Sequence, residues 1–138
     1  MKGLRLYKKE KLTSATAIDT LFGHGSDARH ALSYPLRAVW RSNPQRRSDA
    51  PIAFVISVPK KRLRHAVDRV AMRRRIRESY RLSRAGHTLP AGSRIDVAFV
   101  YVASRCHGYD DIDRAVNRLL EKIVQSTSPS AHEDVQGA

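Results

Sequence analysis

Two short apolar runs restrict the fold more than any other feature of the sequence. Residues 52–58 read IAFVISV and residues 94–102 read RIDVAFVYV, and both are rich in β-branched and aromatic side chains. Runs of this length and composition are typical of strands that are covered on both faces. They predict a sheet that lies inside the molecule, and residues 52–58 are the best candidate for its central strand.

Three other segments have the periodicity of helices. Residues 14–22 place apolar side chains at helical spacing behind serine and threonine candidates for the N-cap. Residues 68–83 have an apolar stripe at intervals of four, and Asp68 is predicted to be the N-cap. Residues 110–124 have a similar stripe and begin with acidic side chains, which the helix dipole favours. We therefore predict three helices, of which the second is by far the most basic.

The order of these elements indicates the fold class. Residues 34–41 alternate apolar and polar side chains, which predicts one more strand, with one face buried. The order helix, strand, strand, helix, strand, helix predicts an α+β fold, an α/β sandwich in which helices pack against one mixed central sheet. The chain of 138 residues fits a single domain, placed at residues 1–125. Residues 126–138, STSPSAHEDVQGA, are predicted to form a disordered tail.

The positive charge of the chain is concentrated in one segment. The 26 lysines and arginines outnumber the 13 acidic residues, leaving a net charge of +13. Residues 60–84 hold eleven basic and two acidic side chains and so carry most of this excess, whereas residues 85–138 are slightly acidic. Such a distribution predicts a polyanionic partner, with nucleic acid favoured over an anionic membrane surface. The C-terminal part of the chain is not expected to bind the polyanion.

A row of arginines lies on the second predicted helix. Four of them follow at intervals of four, so they form a slowly turning stripe about 18 Å long. Like charges at this spacing weaken a helix unless an anion compensates them, and guanidinium groups suit phosphate oxygens. The alternative is a solvated basic face, although such faces usually mix both signs. The predicted RNA-binding residues are Lys60, Lys61, Arg62, Arg64, Arg69, Arg73, Arg74, Arg77 and Arg81.

The segment around this helix has a recognisable pattern. Residues 54–82, FVISVPKKRLRHAVDRVAMRRRIRESYRL, contain a strand ending in S-V-x-K-K, a short basic loop, A-V-x-R and a helix of the form K/R-R-x-[IL]-R-E-x-[YF]-R. This pattern resembles the signature region of the bacterial ribonuclease P protein subunit, with weaker agreement over about residues 8–124. The family usually has Arg-Asn-Arg at the start of the helix, whereas this chain has Arg69, Val70 and Ala71.

The resemblance implies a function and a set of partners. It implies the protein subunit of the ribonuclease P endoribonuclease, in which a catalytic RNA removes the 5′ leader from precursor tRNA and the protein has no catalytic residue. The partners would be ribonuclease P RNA, one molecule for each protein subunit, and precursor tRNA. No cofactor would be bound by protein side chains alone, and the Mg²⁺ of the holoenzyme would be held mainly by RNA. The resemblance also implies a left-handed strand–helix–strand crossover, against the right-handed general rule.

A second implied surface is a cleft between the first helix and the sheet that holds the single-stranded leader. Phe22 matches the position of a leader-contacting aromatic residue, and Ile18 stands where another aromatic residue is common in the family. A cleft for leaders of variable sequence needs positive charge and stacking surfaces rather than contacts that read bases. The predicted cleft residues are Lys11, Ile18, Phe22, Tyr34, Arg37 and Arg41.

Two other functions stay open. The charge alone also fits a different basic RNA-binding protein, such as a ribosomal protein. A nuclease with its own metal site would have to use the clustered acids Asp110, Asp111 and Asp113, whose place at a helix start already explains them. We predict no protein metal site.

The expected compartment is the cytoplasm. The single cysteine, Cys106, excludes an internal disulfide and a metal site built from paired cysteines. The basic opening of the chain lacks the apolar stretch of a secretory signal, and no apolar run is long enough to span a membrane. We therefore expect no membrane association.

Overall fold

Four strands and three helices build the part of the chain that the structure, a computed structural model, describes: residue 6 and residues 8–23, 27–46 and 49–127. The strands are β1 (Arg29–Ser33), β2 (Leu36–Ser42), β3 (Ile52–Ser57) and β4 (Ile95–Tyr101). The helices are α1 (Ala15–Phe22), α2 (Ala66–Ser83) and α3 (Tyr109–Thr127). The strands form one mixed sheet with helices packed against it, which confirms the predicted α+β class.

The order of strands in the sheet is β1-β2-β4-β3. The β1–β2 and β2–β4 pairs are antiparallel, while β3 and β4 are parallel and joined through α2. All seven residues of β4 are buried, so β4 lies at the centre. The prediction that residues 52–58 form a central strand is wrong, because β3 is an edge strand. Helices cover the apolar side chains of β3. An apolar run therefore indicates that a strand is buried, but it does not indicate where the strand lies in the sheet.

The edge of β3 is partly covered by the segment that precedes α1. Lys11 forms an isolated parallel bridge with Phe54, and the amide of Leu12 donates a hydrogen bond of 2.8 Å to the carbonyl of Phe54. Leu12 is itself buried against the sheet. The N-terminal segment therefore takes the place of a further strand at this position.

The strand β1 has no counterpart in the sequence-based prediction. Its residues, RHALS, are mostly exposed, and it pairs with β2 as the outer strand of a hairpin. The turn of this hairpin is Tyr34–Pro35, whose peptide bond is cis. An exposed edge strand has no buried face along its length, so it lacks the hydrophobic alternation by which strands are recognised.

Two helix boundaries differ from the predicted ones. The N-cap of α2 is His65, so Asp68 lies inside the first turn and the prediction that it caps the helix is wrong. An acidic side chain in the first turn is favoured by the helix dipole, which explains the similar signal. The helix α3 continues to Thr127, and Ser126 accepts a hydrogen bond of 3.0 Å from Trp40 Nε1. The first two residues of the predicted tail are thus helical, and residues 128–138 lie outside the described residues.

The two faces of the sheet are covered unequally. On one face α2 and α3 bury an aromatic cluster in which the rings of Phe54 and Tyr80 lie 4.3 Å apart. On the other face the short helix α1 buries Leu21 against Val39 and Ala98. The handedness of the β3–α2–β4 crossover stays a prediction.

Candidate RNA interface

The structure places the predicted basic surface and most of the predicted cleft on opposite faces of the sheet. The basic residues lie on α2 and on the loop before it, on the face that α2 and α3 cover. The helix α1, with Ile18 and Phe22, covers the other face. A chain built this way presents two separate surfaces to a polyanion.

The loop before α2 is held in place by the first arginine of the stripe. Arg69 is half-buried, and its Nη1 donates hydrogen bonds to the carbonyls of Leu63 at 2.9 Å and Arg64 at 2.8 Å. Leu63 is buried and anchors the same loop in the core. Arg69 is therefore engaged in positioning the loop rather than fully available to a ligand. Four predicted RNA-binding residues lie on this loop, all exposed except for the half-buried Arg62: Lys60, Lys61, Arg62 and Arg64.

The middle of the arginine stripe is its most accessible part. Arg74 and Arg77 are exposed and Arg73 is half-buried. None of the three has an ion-pair partner within the described residues. Uncompensated like charges at intervals of three and four destabilise a helix, so an anionic ligand would relieve this repulsion.

The end of the stripe is compensated within the chain. Arg81 Nε donates a hydrogen bond of 3.1 Å to Glu78 Oε2. This hydrogen bond lowers the pKa of Glu78 and raises the pKa of Arg81. The pair is solvent-exposed, so its contribution to stability is small. The predicted RNA-binding stripe is thus divided into a loop-holding start, an uncompensated centre and a paired end.

One further arginine of α2 has a structural contact. Arg75 is half-buried and its Nη1 donates a hydrogen bond of 2.6 Å to the carbonyl of His107, in the loop before α3. The same loop contains Cys106, which hydrogen-bonds with Asp68. Desolvation raises the pKa of the Cys106 thiol most, and the negative charge of Asp68 raises it further. Arg75 therefore joins α2 to the loop before α3, although the run Arg73–Arg74–Arg75 gives no sign of this in the sequence.

At the C-terminal end of α1, one apolar side chain is buried and the next one along the chain is exposed. Leu21 is 1% exposed, whereas the neighbouring Phe22 is 46% exposed. Ile18 is half-buried and packs against the cluster around Leu21. Phe22 is thus accessible for stacking, while Ile18 contributes mainly to packing.

Two predicted cleft arginines lie on the same face of β2 as Val39, which packs against α1. Side chains alternate along a strand, so Arg37 and Arg41 share the face of Val39. Arg37 is half-buried, and its Nε is buried with no hydrogen-bond partner in the described part of the chain. Arg41 Nε lies 2.9 Å from Asp27 Oδ1, and this hydrogen bond lowers the pKa of Asp27.

The other two predicted cleft residues lie further away. Lys11 is exposed near the start of α1, at the opposite end of this helix from Phe22. Tyr34 is in the hairpin turn, on the side where α3 packs. The centre of its ring lies 5.3 Å from the centre of the His107 ring. The structure therefore does not bring Tyr34 together with Phe22, because the turn directs it towards α3.

A cleft residue that sequence reasoning missed is Leu32 on β1. It is 60% exposed and pairs directly with Arg37, so its register assigns it to the face of the predicted cleft. It was missed because β1 itself was missed. The turn signal Tyr34–Pro35, followed by a strand, could have indicated a hairpin partner on its N-terminal side.

Two of the three acidic side chains at the start of α3, Asp111 and Asp113, contact neighbouring side chains, and Asp110 is exposed. Asp113 Oδ1 accepts a hydrogen bond of 2.7 Å from Ser79 on α2. Asp111 Oδ2 lies 3.2 Å from His107 Nδ1. Over the described residues no group of three or more His, Cys, Asp or Glu side chains could hold a metal ion. These carboxylates diverge towards different partners and do not fit a magnesium site.

Comparisons with known proteins identify the family. A family model described as Ribonuclease P matches residues 6–124. The ribonuclease P protein component of Porphyromonas gingivalis is 33% identical over 131 residues, which cover 91% of each chain.

Solved structures share the fold. The RNase P protein of Staphylococcus aureus superposes with a TM-score of 0.63 at 18% identity, covering 86% of this chain and 98% of that one. The RNase P protein of Thermotoga maritima gives a TM-score of 0.61 at 17% identity, covering 82% and 96%. Since the family model spans nearly the whole described region and the relative matches along its length, the chain belongs to the family of bacterial ribonuclease P protein components.

Proposed function

We propose that this protein component of ribonuclease P uses two surfaces on opposite faces of its sheet. The basic surface of α2 and its preceding loop binds ribonuclease P RNA, and the cleft beside α1 binds the 5′ leader of precursor tRNA. The observation that carries the proposal is the separation of the uncompensated arginines Arg73, Arg74 and Arg77 from the exposed ring of Phe22 by the full thickness of the sheet.

The centre of α2 supports contact with a folded RNA. Three arginines that have no ion-pair partner among the described residues lie within five residues of a rigid helix, and a loop held by Arg69 adds further cations beside them. Fixed guanidinium groups contact phosphates without reading the sequence, and each contact releases condensed counterions. Such a surface suits the backbone of a large structured RNA.

The cleft supports contact with a flexible strand. It combines the exposed ring of Phe22 with Arg37 and Arg41, and only Arg41 has an acidic partner among the described residues. A single strand of variable sequence is bound by stacking and by backbone charge. The cleft offers both, with few charges, so it suits a short leader rather than a duplex.

The chemistry of cleavage belongs to the RNA in this proposal. Asp113 and Asp111 contact Ser79 and His107, and in this proposal the protein contributes binding and orientation. Mg²⁺ held mainly by RNA supplies the hydrolytic chemistry, and one protein subunit assembles with one RNA in the cytoplasm. No helix in the described ranges combines the length and apolar character that crossing a bilayer requires.

The proposal is tested by reconstitution. The purified, RNA-free protein is added to a bacterial ribonuclease P RNA at low Mg²⁺, and cleavage of precursor tRNA is measured for substrates with long and truncated leaders. We expect stimulation of cleavage, with a larger gain for the long leader. Arg74→Ala should weaken assembly with the RNA but leave the preference for the long leader unchanged once the holoenzyme is saturated.

Two results would contradict the proposal. An absence of stimulation at any protein concentration would favour a different basic RNA-binding protein, such as a ribosomal protein. Mg²⁺-dependent cleavage by the RNA-free protein, abolished by Asp111→Ala or Asp113→Ala, would favour a nuclease with its own metal site.

A further inference from the structure

An exposed aromatic side chain lies outside both surfaces described above. Tyr34, in the turn between β1 and β2, is 59% exposed. Its ring makes a T-shaped contact with the ring of His107, and His107 Nδ1 lies 3.2 Å from Asp111 Oδ2. The tyrosine is therefore held in place on one side, while most of its ring stays open to solvent.

Two cavities border this tyrosine and continue along α3. One, of about 190 Å³, is lined by Arg114 among others, and the second, of about 500 Å³, extends to Lys122. The two share Ser33, Tyr34 and Arg118 in their walls, so they form one groove between the hairpin turn and α3. We refer to it as the hairpin groove.

The hairpin groove has a local excess of positive charge. Arg114, Arg118 and Lys122 follow at intervals of four on α3, over about 12 Å at 1.5 Å per residue. All three are exposed, and Arg118 has no ion-pair partner in the described ranges. Arg114 lies 3.7 Å from Asp111, and Glu121 is the second acid of the lining. The lining therefore holds three cations and two acids, within a C-terminal segment that is acidic as a whole.

We propose that the hairpin groove is an additional binding site for single-stranded RNA. One base stacks on Tyr34, and Arg118 with its two basic neighbours contacts the phosphates on either side. An exposed ring next to spaced cations is the combination that binds single strands without sequence preference. Tyr34 and the three cations lie on the α3 side of the sheet, away from Phe22. Leu32, on the edge strand β1, lines the groove as well, although its register assigns it to the cleft face.

A groove with one exposed aromatic ring and few charges should bind single-stranded RNA in preference to other polyanions. The bases of a duplex already stack on each other and offer no free face to Tyr34. An acidic peptide could pair with the cations but would leave the ring unused. The net charge of the lining is small, so affinity depends on stacking more than on charge, in contrast to the surface of α2.

The proposal is tested by nuclear magnetic resonance on the full-length protein, with hexauridylate as the probe at about 0.15 M salt. Amide signals of Ser33, Tyr34 and Arg118 report on the hairpin groove, and those of Arg74 and Arg77 report on α2. We expect saturable shifts at both places with different affinities. A self-complementary RNA duplex should shift the α2 signals but not those of the hairpin groove.

Variants separate stacking from charge. Tyr34→Leu keeps an apolar side chain but removes the ring, and should weaken binding at the hairpin groove about fivefold or more. Arg118→Gln should weaken it about threefold. The matched control is Arg29→Gln, which removes an exposed arginine at the far end of β1 and should change neither affinity.

Three results would overturn the proposal. The first is a lack of shifts at the hairpin groove with hexauridylate while the α2 signals saturate. The second is an affinity at the groove that neither Tyr34→Leu nor Arg118→Gln changes. The third is binding of hexaglutamate in the groove with an affinity equal to that of hexauridylate, which would identify it as a site for acidic peptides.

Discussion

The two faces of the sheet present different features to a polyanion, according to the helices that cover them. The helix α2 has 18 residues and packs beside α3, so it can carry a long row of arginines on a rigid support. The helix α1 has only 8 residues, so it covers only part of the face of the sheet on which it packs. On that face a single exposed ring, Phe22, and two strand arginines replace the row.

The number of basic residues on a face does not show how many of them are available to an anion. The row on α2 is not uniform, because Arg69 holds a loop and Arg81 is paired with Glu78. Only its centre is uncompensated within the described chain. On the α1 face the charge is lower, and the surface that we propose for the leader depends on an exposed ring beside two arginines.

The largest effect is expected at the centre of α2. Replacing Arg73 and Arg77 together by Ala removes two charge-assisted phosphate contacts, which costs about 3 kcal/mol of binding free energy for ribonuclease P RNA. The slope of log affinity against log salt should fall by roughly two. Titration of the RNA at several salt concentrations measures both quantities.

The paired end of the stripe provides the control for this prediction. Arg81→Ala should cost clearly less, because Arg81 already has Glu78 as a partner. Equal losses for Arg81→Ala and for Arg77→Ala alone would show that intramolecular pairing does not decide which arginines bind RNA.

The next effect concerns the opposite face. Phe22→Ala removes a stacking platform, so the holoenzyme should lose roughly 1–3 kcal/mol of affinity for precursor tRNA but bind mature tRNA as before. Equilibrium binding of both tRNAs measures the difference. Phe22 is 46% exposed, so we expect the melting temperature to change little.

The neighbouring residue separates stacking from stability. Leu21→Ala empties a buried position and should cost roughly 2–5 kcal/mol of unfolding free energy. In the protein that stays folded, the preference for precursor tRNA should persist. A loss of that preference in Leu21→Ala but not in Phe22→Ala would contradict the assignment of the ring.

A smaller gain is expected at the start of α2, where the chain departs from the family pattern. Val70 is 42% exposed and Ala71 is half-buried at the positions where the family usually has Asn and Arg. Val70→Asn combined with Ala71→Arg should steepen the salt dependence of RNA binding by about one. An unchanged slope would place this end of the helix outside the RNA contact, and Val70→Asn alone serves as the uncharged control.

The smallest effect is a titration on the α1 face. The hydrogen bond from Arg41 lowers the pKa of Asp27 below 3.8, so the ion pair is intact above that pH and is lost as the pH falls through the lowered value. A carbon-13 titration of the carboxyl measures the shift. Arg41→Gln should return the pKa towards 3.8.

Asp27→Asn should release Arg41 and raise leader affinity slightly, and an unaltered leader affinity would show that Arg41 does not contact the leader.

Local periodicity was sufficient to predict the helices that have one continuous buried stripe and the residues of that stripe. Met72, Ile76 and Tyr80 are buried as the spacing predicted, and the stripe of α3 is buried in the same way. The boundaries were less accurate where side chains act at a distance. Ser126 lies in α3, where it accepts a hydrogen bond from Trp40 on β2, a contact between distant segments that no local pattern records.

The candidate site shows the same division. Five of the six arginines of α2 were predicted to bind RNA, because charge and helical spacing are local properties, and Arg75 was left out. The sequence did not distinguish Arg69, which donates to backbone carbonyls, from Arg74 and Arg77, which stay exposed, and it did not show that Arg75 contacts the carbonyl of His107. Those contacts involve loops whose positions depend on the packing of the whole chain.

The fold class, the family and the segment that carries the charge were all predictable from the sequence, since each follows from the order and spacing of residues along the chain. The positions of β3 at an edge and β4 at the centre were not, because strand order depends on pairing between distant segments and is visible only in the folded chain. The tertiary structure also decided that Tyr34 faces α3 while Phe22 faces the other side. Which face an exposed side chain joins is settled by the turn and by the element packed next to it, and neither is written in the local pattern.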